Sequence, residues 1–359
     1  MDEILELASR LVAIDSVNPA LVAGGAGERE AAAAVADWCR ARGFEVDVLG
    51  DERPSVVARR RGSGGGRSLF LNGHLDTVGV AGMDAPFEPR VEDGRLYGRG
   101  SYDMKGALAA VLVAAANVGP CRGDILVTAV ADEELASVGT ETVLRHVTAD
   151  AAIVAEPTEL EVAVAHRGFV GFELETSGIA AHGSRPDLGE DAIVKMGPIL
   201  VGLEELDGRL QRGRRHPLAG TGSVHASVIE GGQEMSSFPA RCVLLGERRT
   251  IPGETVEDVE HELAELAPAA ERRIVAAREP FEAAADHPFV ELVCRAAGRE
   301  TLVGAPFWTD AALVAAAGIP TVLYGPVGTG AHAEVEWVDL ASLQRVHDVV
   351  VQVAREWCA

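Results

Sequence analysis

Three apolar runs in the first half of the chain end in the same way. "LFLNGHLD" (69–76) runs into His74 and Asp76, "GDILVTAVADEE" (123–134) into Glu133 and Glu134, and "DAAIVAEPT" (150–158) into Glu156. Each run has the length of a buried strand and is followed by turn chemistry. Helix-like segments alternate with the strands, at 2–14, at 27–43 with Gly43 as a stop, and at 103–118. This alternation predicts an α/β domain, a mostly parallel sheet with helices on both faces. In open sheets of this kind, sites form at the carboxyl ends of the strands. The shared ending therefore constrains both the architecture and the place of the chemistry.

The rhythm changes near residue 167. A long alternating strand, "GFVGFELETSG", is followed by a helix, two strands ("GSVHASVIEG" and "ARCVLLGERRTIP"), a second helix and a last strand, "ERRIVAARE". That β-α-β-β-α-β order is ferredoxin-like. After about residue 283 the first style returns. The expected organisation is one α/β domain, residues 1–167 and 282–359, interrupted by an inserted α+β domain at 168–281.

Bulk properties exclude several functions. The formal net charge is -23, with Asp+Glu at 55 against Lys+Arg at 32. Nucleic acid and anionic membranes would be repelled, so neither is an expected partner. No apolar run approaches the length of a membrane span. The five cysteines are scattered and form no CxxC, which argues against a disulfide framework or a zinc ribbon. "MDEILELASR" begins an acidic amphipathic helix, unlike a signal peptide, and a reducing cytoplasmic setting is expected.

The polar groups at strand ends or in glycine-flanked loops are His74, Asp76, Asp103 in "GRGSYDMKGA", Glu133, Glu134, Glu156, and His332 in "GTGAHAEVE". Each has an ordinary alternative: a core histidine, a helix cap, a solvated acidic turn, a loop histidine. Together they are more specific. Carboxylates beside buried apolar sequence are costly unless paired or bound to a cation. Three acids and two imidazoles converging suit two divalent ions that share one bridging carboxylate.

These motifs resemble those of the co-catalytic zinc metallohydrolases, the family that includes acetylornithine deacetylase, succinyl-diaminopimelate desuccinylase, aminoacylase and glutamate carboxypeptidases. "GHLDTV" is similar to the family's GHxDxV and "GRGSYDMKGALAA" to its GRGxxDMKGG. "ADEE", "AEPT" and "GAHAEVEWV" follow in the family order, and the resemblance covers nearly the whole chain. It implies a zinc-exopeptidase-like catalytic domain with the insert as lid and dimerisation domain. It implies that His74, Asp103 and Glu156 hold one metal ion and that Asp103, Glu134 and His332 hold the other. Zinc is the first expectation and cobalt the alternative. Glu133 is then the general base, and Asp76 orients His74 by accepting its free N–H.

In the insert, His182 in "GIAAHGSRPDLGEDAI" is similar to the family histidine that stabilises the oxyanion, often across a dimer interface. Arg249 in "GERRTIPGE" matches the arginine that binds a substrate carboxylate. Three positions depart from the family pattern. Ser236 stands where an Asn is usual, Asp191 likewise, and Glu247 replaces an Asp. They touch substrate contacts and leave the reaction class intact. The expected activity is hydrolysis of the amide bond of an N-acylated amino acid by a two-metal-activated water, of the acetylornithine deacetylase kind. The alternatives are a dipeptidase or carboxypeptidase and, from another class, a metal-bound binding or regulatory protein without turnover. The expected partners are a small N-acyl amino acid or dipeptide substrate and a second copy of the chain, bound through the insert.

Overall fold

The computed structural model describes all residues, 1–359. Two compact units divide the chain. One comprises Met1–Val164, Ala283–Val303 and Thr309–Ala359; the other comprises Ala165–Glu282 and Gly304–Trp308.

The first unit opens with α1 (Asp2–Val12) and α2 (Arg29–Arg40), then β1 (Glu45–Leu49), β2 (Ser55–Arg60) and β3 (Leu69–His74). A small hairpin, β4 (Arg90–Glu92) and β5 (Arg95–Tyr97), turns at Asp93-Gly94, both left-handed with φ of 48° and 74°. A kinked turn at Ser101–Lys105, non-helical at Asp103 and Met104, leads into α3 (Gly106–Asn117), and β6 (Ile125–Val130), α4 (Val138–Leu144), β7 (Ala151–Val154) and β8 (Val162–His166) follow. The second unit contributes β9 (Gly168–Ser177), α5 (Ala192–Arg212), the short hairpin β10 (Arg215–His216) and β11 (Gly220–Thr221), β12 (Ser223–Gly231), β13 (Arg241–Thr250), α6 (Val256–Leu266), β14 (Glu271–Arg278) and β15 (Phe281–Glu282). The chain then adds α7 (Pro288–Ala297), β16 (Leu302–Ala305), α8 (Ala311–Ala316), β17 (Thr321–Leu323), β18 (Gly328–Thr329), β19 (Trp337–Asp339) and α9 (Leu340–Trp357).

The main sheet runs β1-β2-β6-β3-β7-β17-β8. Its centre is parallel, β3 pairing with β6 and β7, and β17 with β7. Its flanks are antiparallel, β1 with β2, β2 with β6, and β17 with β8. The sequence expectation of a mostly parallel sheet thus holds for the centre only. For β1 and β2 the physical reason is the short connection between Leu49 and Ser55, which can join antiparallel neighbours but cannot make a parallel crossover.

Burial follows composition. α3, "GALAAVLVAAAN", is apolar all round, and its residues from Gly106 to Ala115 are buried. It packs against α1 and α9, which present single apolar stripes: Ile4, Leu7, Ala8 and Leu11 in α1 lie at helical spacing on one face. Burying a side chain such as Leu108, fully enclosed, contributes about 1.5–3 kcal/mol before entropy is counted. The strands β3, β6 and β7 are buried along their whole length, so the polar groups beyond their carboxyl ends emerge from a dry core.

The second unit is a four-stranded antiparallel sheet in the order β12-β13-β9-β14, with α5 and α6 supplying apolar residues to its core. Phe172, Leu174, Leu244 and Met196 are fully buried there. Alternation along β9 and β13 is strict, so one face of the sheet faces this core. α5 is capped by Asp191, whose carboxylate accepts the Val194 N–H at 3.0 Å, and α6 by a capping box between Thr255 and Asp258.

Candidate active site

His74 is the last residue of β3 and is buried. Its Nε2 lies 3.1 Å from Asp103 Oδ1 and 3.8 Å from Glu156 Oε1. Asp103 sits in the kinked, locally extended turn that precedes α3, with φ -119° and ψ 94°, and Glu156 two residues past β7. On the other side, His332 Nε2 lies 3.0 Å from Glu134 Oε2 and 3.4 Å from Asp103 Oδ2. His332 has a left-handed backbone, φ 62°, in the loop before β19.

Two trios result, His74–Asp103–Glu156 and Asp103–Glu134–His332, each with its ligating atoms within 4.8 Å of one another. Asp103 belongs to both, one carboxylate oxygen facing each imidazole. The donor set is the one expected for hard or borderline divalent ions. The electrostatics fit such ions too. Burial pushes the Glu133 and Glu156 carboxyls well above the usual range, and neighbouring carboxylates add to it. Burial pulls the His74 imidazole down, but the hydrogen bond it donates to Asp103 and the charges of Glu156 and Glu133 outweigh it and raise it well above its ordinary value. Hydrogen bonds to Asp103 and Glu134 raise His332 to about 10. Burial works against the Asp103 carboxylate, yet its bonds to His332 and His74 hold it well below the usual range. The cluster therefore retains protons for want of positive charge, and divalent cations would supply that charge.

Asp76 is placed differently from the expectation. His74 Nδ1 donates to the backbone carbonyl of Asp76 at 2.9 Å, and the nearer carboxylate oxygen is 3.7 Å away. At a spacing of two residues in extended chain, the carbonyl reaches the ring first. The carboxylate instead accepts the backbone N–H groups of Glu133 at 3.1 Å and Glu134 at 3.2 Å, and the Asn18 amide at 2.8 Å. It is fully buried, and burial raises it to about 7.

Several functional groups escaped sequence reasoning. Glu336, four residues after His332, is buried and accepts the N–H groups of Gly100, Tyr102 and Asp103 at 3.0, 2.9 and 3.1 Å, as well as the Arg99 guanidinium at 2.7 Å. Arg99 also donates to the Ala333 carbonyl at 2.9 Å, so the pair ties the His332 loop to the Asp103 turn. Lys105 is fully buried, donates to the Ile14 carbonyl at 2.7 Å, and is pulled down to about 7 by burial. Its place in "DMKG" was the only signal available in the sequence.

The remaining candidates lie in the second unit. His182 Nδ1 is engaged by Ser184, at 2.8 Å from its hydroxyl, and Nε2 is left for another partner. The Gly183 N–H donates to the Ser236 carbonyl at 2.6 Å, which brings Ser236 beside His182. Arg249 donates through Nε to Glu247 at 2.6 Å and lies over the Phe169 ring, 5.5 Å from its centroid. His182 and Arg249 are not together. β9 ends at Ser177, paired with Arg241, whereas Arg249 pairs with Phe169 at the other end, a run of roughly 27 Å along the strand.

A carboxylate shared by two histidine-bearing trios, at the carboxyl edge of an α/β sheet, is the donor set of a two-ion hydrolytic site. A family model described as peptidase family M20/M25/M40 matches residues 70–356, and the chain belongs to that family. It is a metal-dependent hydrolase of amide bonds. It is 32% identical to the acetylornithine deacetylase of Myxococcus xanthus over 340 residues, 87% of this chain and 86% of that one. It is also 32% identical to that of Erwinia tasmaniensis, over 89% of each chain. Among solved structures, an M20 family metallo-carboxypeptidase from Sulfolobus solfataricus superposes with a TM-score of 0.81 at 18% identity, covering 99% of each chain. A dinuclear metal binding peptidase of the same family from Bacillus subtilis gives 0.74 at 16% identity, over 99% of this chain and 98% of that one. These two likenesses are of fold.

Proposed function

We propose that this hydrolase removes the acyl group from an N-acylated amino acid, in the manner of an acetylornithine deacetylase. The observation that carries the reading is Asp103, whose two carboxylate oxygens face His74 and His332 separately. His74, Asp103 and Glu156 would hold one divalent ion, and Asp103, Glu134 and His332 a second. Zinc is proposed, with cobalt as the alternative. When bound, such ions polarise the substrate carbonyl and acidify a water molecule.

The chain's own residues do the rest. Glu133, raised by burial among Glu156 and its neighbours, accepts the water proton and passes it to the leaving nitrogen. Oxygen bonds to the acyl carbon, the C–N bond breaks, and a carboxylate and an amine result. Because His182 and Arg249 stand at opposite ends of the second unit's sheet, they serve one substrate only across the proposed dimer: His182 of one copy donates Nε2–H to the developing oxyanion, and Arg249 of the other offers guanidinium nitrogens to the substrate carboxylate. Identity to two acetylornithine deacetylases over most of the chain supports the choice of substrate class.

A homodimer through the inserted unit is proposed as well. Support comes from Val194 and Val201 on α5 and Val228 and Ile229 on β12, which expose 69, 58, 46 and 49% of their surface. β12 is an edge strand. The five free cysteines support a reducing cytoplasmic setting.

The experiment is a Glu133→Gln variant, assayed with zinc or cobalt against N-acetyl, N-succinyl and dipeptide substrates. It should keep both ions by elemental analysis and lose about 10²–10⁴-fold in kcat. Full activity in the variant overturns the role of Glu133, and turnover of dipeptides alone overturns the deacylase reading.

A further inference from the structure

The Asp76 carboxylate is committed to the turn that carries Glu133 and Glu134, one oxygen to each backbone N–H, and to Asn18. Asn18 comes from the loop after α1, far upstream, and is itself buried. Its amide has two N–H groups. One goes to Asp76 Oδ2 at 2.8 Å and the other to Asp132 Oδ1 at 2.9 Å. Its own position is fixed on both sides, because Oδ1 accepts the Ala20 N–H at 3.0 Å and its backbone N–H donates to the Thr77 carbonyl at 2.9 Å.

Asp132 is the residue before Glu133 and is held in the left-handed region, φ 67°. A non-glycine residue there is strained and persists only where its surroundings over-determine it. The surroundings do so here. The Asp132 carbonyl accepts the N–H groups of Ala136 at 3.1 Å and Ser137 at 2.5 Å. Its carboxylate takes Asn18 and the Arg53 guanidinium, 3.1 Å away, and Arg53 is in turn paired with the buried Glu28. Asn18 is the neutral donor between two buried carboxylates that would otherwise face each other. It joins the segment after β3 to the segment after β6 at the point where the acidic pair projects.

We propose that Asn18 is a positioning residue which, by bridging Asp76 and Asp132, fixes the Glu133–Glu134 turn, and that holding this turn, more than orienting His74, is what the Asp76 carboxylate contributes to the reaction. The inference rests on the roles proposed above for Glu133 and Glu134. Its consequence is asymmetric. The trio containing Glu134 depends on the bridge, whereas His74 is oriented by a backbone carbonyl and Glu156 follows a different strand, two residues past β7. A displacement of about 1 Å at a catalytic group can cost about 10²-fold in rate.

The test uses Asn18→Leu, close in size and without donors, and Asp132→Asn, which keeps an acceptor oxygen for Asn18 and Arg53. Stepwise metal affinities are measured by chelator competition, and kcat and KM on the preferred N-acyl amino acid. In Asn18→Leu one ion should bind about 10–100-fold more weakly, the other should be unchanged, kcat should fall about 10–100-fold, and KM should move less than about threefold. Asp132→Asn, which keeps the acceptor but loses the charge facing Arg53, should show the same one-ion weakening to a smaller degree than Asn18→Leu. If Asn18→Leu does not fold, Asn18→Ser, which keeps one donor, should show the same one-ion loss to a smaller degree. Unchanged affinities and kcat, or equal weakening of both ions, would overturn the inference. Glu134→Ala separates the two levels. If it loses one ion while Asn18→Leu and Asn18→Ser lose none, only the positioning role fails; if it keeps both, the ligand assignment itself fails.

Discussion

Glu336 accepts the backbone N–H of Asp103 at 3.1 Å across 233 residues of chain. The same carboxylate takes the N–H groups of Gly100 and Tyr102 and the Arg99 guanidinium. One buried acid therefore sets the turn that presents the shared carboxylate and anchors the loop that presents His332. Removing it leaves Arg99 buried without its partner, and loss of one member of such a pair typically costs about 3–5 kcal/mol. Glu336→Ala is expected to lose stability of that order in urea unfolding and to bind both ions about 10–100-fold more weakly by chelator competition. Glu336→Gln, which keeps an acceptor, should lose less on both counts. A Glu336→Ala protein with parental metal affinity would show that the turn holds itself.

Gly325 lies just beyond β17, where a Cβ would come within 2.1 Å of the Glu156 carbonyl oxygen and 2.7 Å of that of Ala155. Those atoms are backbone and cannot swing aside. Gly325→Ala is expected to destabilise by about 1–3 kcal/mol and to push Glu156 out of the His74 trio. The sign to look for is a selective loss of one ion, with the other retained. A purely thermal effect, with both affinities intact, would refute the displacement.

Metal loading should release protons. Ligating carboxylates must be ionised and imidazoles neutral. The unloaded site has the reverse bias, with Glu156 and His74 raised well above their ordinary values and His332 raised to about 10. His74, Glu156 and His332 must each give up a proton that the folded site holds more tightly than the unfolded chain does. Apparent affinity at the His332 trio is thus expected to rise with pH across the neutral range, roughly tenfold per unit for each proton displaced. Calorimetry in two buffers of different ionisation enthalpy measures the count; heats that do not depend on the buffer would contradict it.

Replacing Val194 or Val201 by Asp on the exposed face of α5 should convert a dimer to a monomer in size-exclusion chromatography with light scattering. Stability of the inserted unit should change by less than about 0.5 kcal/mol, since neither side chain is in its core. A parent chain that is already monomeric at micromolar concentration would dispose of the dimer.

What was legible in the sequence follows a physical rule. His74, Glu133, Glu134 and Glu156 stand out because a polar group closing an apolar run is locally anomalous, and the anomaly is visible within ten residues. Asn18 and Glu336 carry no such mark. Their meaning is in which carboxylate or N–H they face, and those partners lie 58 and 233 residues away. Asp76 shows a subtler limit. Its spacing from His74 was read correctly as contact, but spacing does not say whether side chain or carbonyl makes it. The antiparallel pairing of β1 with β2 was hidden for a related reason, since direction depends on the length of the Leu49–Ser55 connection, while alternation of strands and helices reports only that a sheet exists.

The order of the ligands along the chain also sets a schedule. His74, Asp103 and Glu156 all precede the inserted unit, whereas His332 follows it. A chain emerging from the ribosome has the members of one trio in hand before the insert is made. The other trio must wait for roughly half the protein more, and for β17 to add beside β7. On the proposed ligand assignment, maturation is thus sequential. A half-made chain could carry one ion early, yet catalysis is withheld until nearly the last strand is in place.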